Sequence, residues 1–278
     1  MFKTIGKSVW AFDLEWVPDP LAAKRLGLVD ENALDAEAMK ALWARTGATE
    51  SDPRPFVKTV LSRIISISAV KRETLANGTV TLSLTSLPRP GDGMDEKSLL
   101  SSFFTAIGRT KPQLVGFNSG GSDLKILVQR GIALGVSAPG FGQRPNKPWE
   151  GYDYWAAHGS DGHIDLADIV GGWGKAMPSL HEIAILSGIP GKLGVSGDEV
   201  APMYLAGDIA GIVAYNECDA LTTYLLWLRV AHFGGFYASD QYLEEQRRVV
   251  KLLTSLSRDK PQLKKFTEEW QRLGGYPS

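Results

Sequence analysis

The run Val9-Trp10-Ala11-Phe12-Asp13-Leu14-Glu15-Trp16 is the strongest constraint in the sequence. Its apolar residues predict a buried strand over about 8–16. Side chains of a strand alternate between faces, so Asp13 and Glu15 share one face. No basic residue lies between them. Two carboxylates held close together repel each other, and a bound divalent cation relieves that repulsion. The pair is therefore a candidate metal site at the mouth of a buried strand. An Asp-x-Glu triplet by itself also fits a strand end meeting solvent.

A polar insert of about 19–55 follows. A helix is expected over Asp30 to Arg45, where Ala33, Leu34, Ala38, Met39, Leu42 and Trp43 recur at helical spacing. Val60 to Val70 and Thr79 to Leu87 read as strands, and Asn77-Gly78 between them predicts a hairpin. A helix over Asp95 to Ile107 precedes a short buried strand, Gln113 to Phe117, and a helix from Asp123 to Leu134. Residues 135–162, rich in Gly, Pro and aromatics, read as an irregular loop. Ile164-Asp165-Leu166 fits a short strand or a helix start. Further helices are expected over Pro178 to Ser187, with Pro in the first turn, and Asp208 to His232, with Asp208 at the N-cap. Two more are expected over Asp240 to Ser257 and Pro261 to Leu273. This order predicts an α/β fold, a mixed β-sheet flanked by helices with a small C-terminal helical extension.

Bulk properties narrow the function classes. The chain has 278 residues, 30 basic and 31 acidic, for a formal net charge of −1. That balance excludes a polybasic clamp. Basic residues nevertheless cluster: Arg54, Lys58, Arg63, Lys71 and Arg72 in one acid-free stretch, and Lys125, Arg130, Arg144 and Lys147 in another. Such surface can guide a phosphate backbone, and for any one residue a solvated role competes. The single cysteine, Cys218, excludes an intramolecular disulfide and suits a reducing cytoplasm. The N-terminal segment reads as neither signal peptide nor membrane anchor.

Two further segments carry acids beside short apolar runs. In Gly116-Phe117-Asn118-Ser119-Gly120-Gly121-Ser122-Asp123, turn chemistry explains the residue types, with Ser122 capping the next helix. The segment also places Asp123 at the carboxyl end of a strand, where α/β sites form. In Tyr215-Asn216-Glu217-Cys218-Asp219, helical spacing puts Tyr215 and Asp219 on one face. Asp219 borders a largely apolar stretch and needs a partner. His163, Asp165 and His181 lack a second His at helical spacing, which favours structural roles.

Acid-x-acid on a first strand, an acid after a middle strand, then Tyr-x3-Asp on a late helix resembles the DEDD superfamily of 3′–5′ exonucleases, in its Tyr variant. Within that superfamily the chain resembles predicted exonucleases related to the proofreading domain of family B DNA polymerases. The resemblance extends to Ser179-Leu180-His181-Glu182-Ile183-Ala184 and Gly188-Ile189-Pro190-Gly191-Lys192. Ala214 stands where the sister group carries His. Ser122 and Lys125 depart from the usual Phe and Pro around Asp123.

The resemblance implies a ribonuclease H-like exonuclease domain over 1–234 and a helical extension over 235–278. It implies two ions, Mg²⁺ or Mn²⁺, held by Asp13, Glu15, Asp123 and Asp219, with Tyr215 orienting or helping to deprotonate water. Its expected substrate is the 3′ end of single-stranded nucleic acid, DNA favoured over RNA, with release of nucleoside 5′-monophosphates. Asn118 is expected to shape the cleft around the terminal nucleotide, with Trp16 and Phe117 stacking on bases. A proofreading role would require a separate polymerase or repair partner. The altered second motif leaves a rival: a nucleic-acid-binding module of the same fold with weakened chemistry.

Overall fold

The computed structural model describes residues 1–89, 91–147, 150–155, 161–171, 176–194 and 197–277. Five strands form one mixed sheet in the order β3-β2-β1-β4-β5. They are β1 (Ser8–Pro18), β2 (Ser62–Thr74), β3 (Val80–Leu87), β4 (Gln113–Gly116) and β5 (His163–Asp165). β2 runs antiparallel to β1 and β3, whereas β4 and β5 run parallel to β1. Helices flank the sheet, as in a ribonuclease H-like α/β fold.

Strand alternation divides the core in two. Val9 and Ala11 of β1 face a cluster with Leu221, Tyr224, Leu225 and Leu228 of α9 (Ile209–Phe233). Trp10, Phe12 and Leu14 face the other side, against Leu100, Phe103 and Phe104 of α3 (Glu96–Thr110) and Ile126 and Leu127 of α4 (Asp123–Ala133). Asp13 and Glu15 continue the Ala11 face, so the strand pleat turns both acids toward α9. α10 (Ser239–Leu256) and α11 (Pro261–Arg272) cover the same layer, burying Val249, Leu253, Phe266 and Trp270 with α9.

Local chemistry explains several boundaries. The β2–β3 turn closes at Asn77-Gly78, where Gly78 adopts φ +82° and Asn77 Oδ1 accepts from Thr79 N at 2.9 Å. Pairing carries β2 on to Thr74, beyond the expected Val70. The helix anticipated from Pro178 begins instead at Leu180, as α7 (Leu180–Leu186). Ser179 forms a capping box with Glu182 and leaves Pro178 outside. Ile164-Asp165-Leu166 is both things expected of it: β5 ends at Asp165, and that side chain caps α6 (Leu166–Val170). The insert's helix begins at Asp35, as α2 (Asp35–Arg45), preceded by α1 (Pro20–Arg25), which periodicity missed. The loop expected over 135–162 holds a short helix, α5 (Pro139–Gly142), because Phe141 is buried between Phe104 and Tyr154. Residues 148–149 and 156–160 of that loop lie outside the described residues. A short α8 (Val200–Leu205) also precedes α9.

Two of the clustered basic residues belong to the interior. Arg130 of α4 donates to Glu96 at 2.6 and 2.8 Å and to Asp19 at 2.8 Å, all three buried. Arg72 pairs with buried Glu245 at 2.7 and 3.1 Å. Neither guanidinium is available to a phosphate backbone. The Arg130 bridge ties α4, and with it Asp123, to the residue that follows β1. No helix among the described residues is long and apolar enough to cross a membrane.

Candidate active site

β1, α4 and α9 converge at the carboxyl end of β1. Carboxylate oxygens of Asp13, Glu15 and Asp219 lie within 4.8 Å of one another. Asp123, at the first turn of α4, adds its charge to the same field. Glu15, Asp123 and Asp219 are buried, and Asp13 keeps partial exposure. Burial first, then the charges of Asp123, Glu15 and Asp219, push the Asp13 carboxyl well above its ordinary range. Burial, Asp219 and Asp123 do the same to Glu15. Burial raises Asp123 and Asp219 to about 6 each. Four carboxylates in one field need positive charge to ionise together. An all-oxygen donor set of this kind fits hard divalent cations.

The surrounding groups orient the acids. Asn216 Nδ2 donates to Asp13 Oδ2 at 2.6 Å, and Ser66 Oγ of β2 donates to Asn216 Oδ1 at 3.1 Å. The Tyr215 hydroxyl donates to Asp219, its helical neighbour four residues on. Burial and the charges of Asp219, Glu15 and Asp13 drive the Tyr215 pKa far upward. The phenol therefore stays protonated at neutral pH.

Ser122 resolves its departure from the family pattern in an unexpected way. It occupies the N-cap of α4, but its side chain makes no capping bond. The hydroxyl instead lies 2.7 Å from Asp123 Oδ2 and 2.8 Å from the Asn118 carbonyl. A hydrogen bond thus steadies Asp123 where Phe packing is usual. Lys125 is exposed. Asn118 is exposed in the left-handed region, φ +55°, on the turn leading to Asp123. Trp16 and Phe117 are half-buried, Trp16 packing toward the α3 side and Phe117 toward α9.

Asp165 fixes that turn. Its Oδ1 accepts from Asn118 N at 2.7 Å and its Oδ2 from Gly120 N at 2.8 Å. Buried Ser119 Oγ and half-buried His163 Nε2 add a contact at 2.8 Å. Asp165→Ala is expected to release the turn and lower kcat by roughly 10- to 100-fold with a smaller effect on KM, a split that steady-state kinetics reads directly.

Lys192 brings the facing positive charge. It lowers the pKa of both Glu15 and Asp219. Its loop is held by the bond from Lys192 N to His181 Nδ1 at 3.0 Å and from Thr222 Oγ1 to Pro190 O at 2.8 Å. A Cβ at Gly191 would lie 2.3 Å from His181 Nδ1, so only glycine lets the loop pass the ring.

Residues 54–270 match a family described as predicted 3′–5′ exonucleases related to the exonuclease domain of PolB. The chain belongs to this family. No curated protein matches it significantly. Asp123, Tyr215 and Asp219 fall inside the matched stretch of this exonuclease-family chain, while Asp13 and Glu15 precede it. The fold brings those two to Asp219 regardless. Asn216, Ser66, Asp165 and Lys192 had no assigned site role in the sequence reading. Asn216 did leave a signal, an uncharged polar residue opening an apolar helical stretch beside Tyr215.

Proposed function

We propose that this chain is a two-metal-dependent 3′–5′ exonuclease that trims single-stranded nucleic acid to nucleoside 5′-monophosphates. The clustering of Asp13, Glu15 and Asp219 beside Asp123 carries the reading. The family's relation to the exonuclease domain of PolB favours DNA. Asp13, Glu15, Asp123 and Asp219 would hold Mg²⁺ or Mn²⁺, which supplies an activated water and charge stabilisation at the leaving 3′-oxygen. Asn216 orients Asp13 within that set. The Tyr215 hydroxyl donates a hydrogen bond to Asp219 and keeps its proton, and its oxygen would accept from the attacking water, fixing the line of attack. Lys192 offsets negative charge gathered between Glu15, Asp219 and the phosphate. Asn118, Trp16 and Phe117 would border the terminal nucleotide.

The direct test is degradation of 5′-labelled single-stranded DNA and RNA with Mn²⁺, Mg²⁺ or EDTA. A metal-dependent ladder receding from the 3′ end is expected, stronger on DNA. No ladder from folded protein would sink the reading and favour a binding module. Lys192→Met is expected to slow turnover by roughly 10- to 100-fold and move the acid limb of the pH–rate profile upward, because Glu15 and Asp219 lose a charge that favours ionisation. Lys192→Arg should restore the limb; an unmoved limb in both variants would remove Lys192 from the site.

A further inference from the structure

A second cavity lies at the open edge of the sheet. β3 ends at Leu87, paired with Ile67, so the first residues of β2 have no strand outside them. The gap is enclosed by the segment leading into α3, by α8 and α9, and by the α10–α11 turn. It forms a cavity of about 540 Å³, within the ~300–1,000 Å³ span of small-molecule sites. Ile65, Met94, Leu99, Ile209 and Val213 give it apolar walls.

The cavity is set apart from the acid cluster by α9. Ala210, Val213, Ala214 and Glu217 line the cavity, while Tyr215, Asn216 and Asp219 serve the cluster. The helical period puts these two sets on different faces.

Its charges are unevenly matched. Glu217 is buried and takes bonds from Ser86 and Lys260 at 2.5 Å and from Gln262 at 2.8 Å. Glu96 is satisfied by Arg130. Arg63 and Arg89 also line the cavity, and among the described residues neither is in an ion pair. Arg63 is held over the Tyr204 ring at 6.0 Å, with Nη1 3.3 Å from the Tyr204 hydroxyl. Asp259 is the remaining acid in the lining. Two guanidiniums outside any salt bridge, Arg63 also in the field of Asp95, stand beside an apolar chamber, an arrangement that suits an apolar ring carrying a phosphate.

We infer that this cavity binds a nucleoside 5′-monophosphate, base against the apolar walls and phosphate on Arg63 and Arg89. This inference is argued from the lining and does not depend on the exonuclease reading. Adenosine 5′-monophosphate titrated calorimetrically into the full chain tests it, using Asp13→Ala in EDTA so that the metal-dependent site does not hold the phosphate. Saturable 1:1 binding is expected. Arg63→Gln and Arg89→Gln should each weaken it by about tenfold, and Ala214→Trp should abolish it by filling the chamber. Adenosine should bind far more weakly than the monophosphate. Absence of saturable binding, equal affinity for adenosine, or affinity unchanged in both arginine variants would overturn the site. The arginine variants decide it even if Ala214→Trp fails to fold, because Arg89 is exposed and Arg63 half-buried.

Discussion

Asp13→Asn is expected to abolish turnover and at the same time raise the melting temperature of the metal-free protein. Both effects have one cause. Asp13 sits in the field of Asp123, Glu15 and Asp219, and burial denies the four charges the screening of water. In metal-free protein that repulsion is a cost of folding, and removing one charge relieves it. Asparagine keeps the size of the side chain and can still bond to Asn216, so packing changes little. A rise of at least about 3 °C in EDTA corresponds to roughly 1 kcal/mol for a chain of this size. Turnover should fall by roughly a thousandfold or more, about 4 kcal/mol of transition-state stabilisation. Melting by circular dichroism and rates on labelled oligonucleotide check the pair. A variant that is both inactive and less stable in EDTA would mean that Asp13 serves the fold and not a metal.

The second large effect is a dependence of stability on pH that divalent cations remove. Asp123 and Asp219 move from an ordinary 3.8 to about 6 in the folded chain. Between those values the folded state binds more protons than the unfolded state. Their contribution therefore favours folding at low pH and is lost as pH rises through this window. Each shift corresponds to about 3 kcal/mol at neutral pH, and the four acids share one field, so their effects do not add independently. The difference in melting temperature between the native chain and Asp219→Asn, followed from pH 4 to 8 in EDTA, isolates the contribution. The variant should gain relative to the native chain as pH rises, and saturating Mn²⁺ should reverse the order by binding only the folded native site. A difference that stays flat across pH and ignores Mn²⁺ would refute a strained carboxylate cluster.

The parts of this fold legible in the sequence share a local cause. β1 was legible because a continuous apolar run and its two acids lie within one strand. The hairpin was legible because Gly78 at φ +82° is a local demand. The length of α9 was legible because its apolar stretch is long enough to bury nearly all round. α1, α5 and α8 were missed because four to six residues carry too little periodicity, and burial of residues such as Phe141 comes from distant partners. Pro178 misled because a capping box beside it fixed the true start of α7.

The candidate site divides along the same line. The sequence by itself determined that Asp13 and Glu15 share a face and that Tyr215 and Asp219 share a helical face, because strand and helix periods act over a few residues. Only the tertiary structure decided that these pairs meet, since 203 residues separate Asp13 from the Asn216 that grips it. It also decided that Ser122 bonds to Asp123 instead of capping α4, that Asp165 holds the Asn118 turn, and that Arg72 and Arg130 are spent inside the fold. Side-chain partners across a sheet depend on packing of whole elements, and no local pattern of residues encodes them.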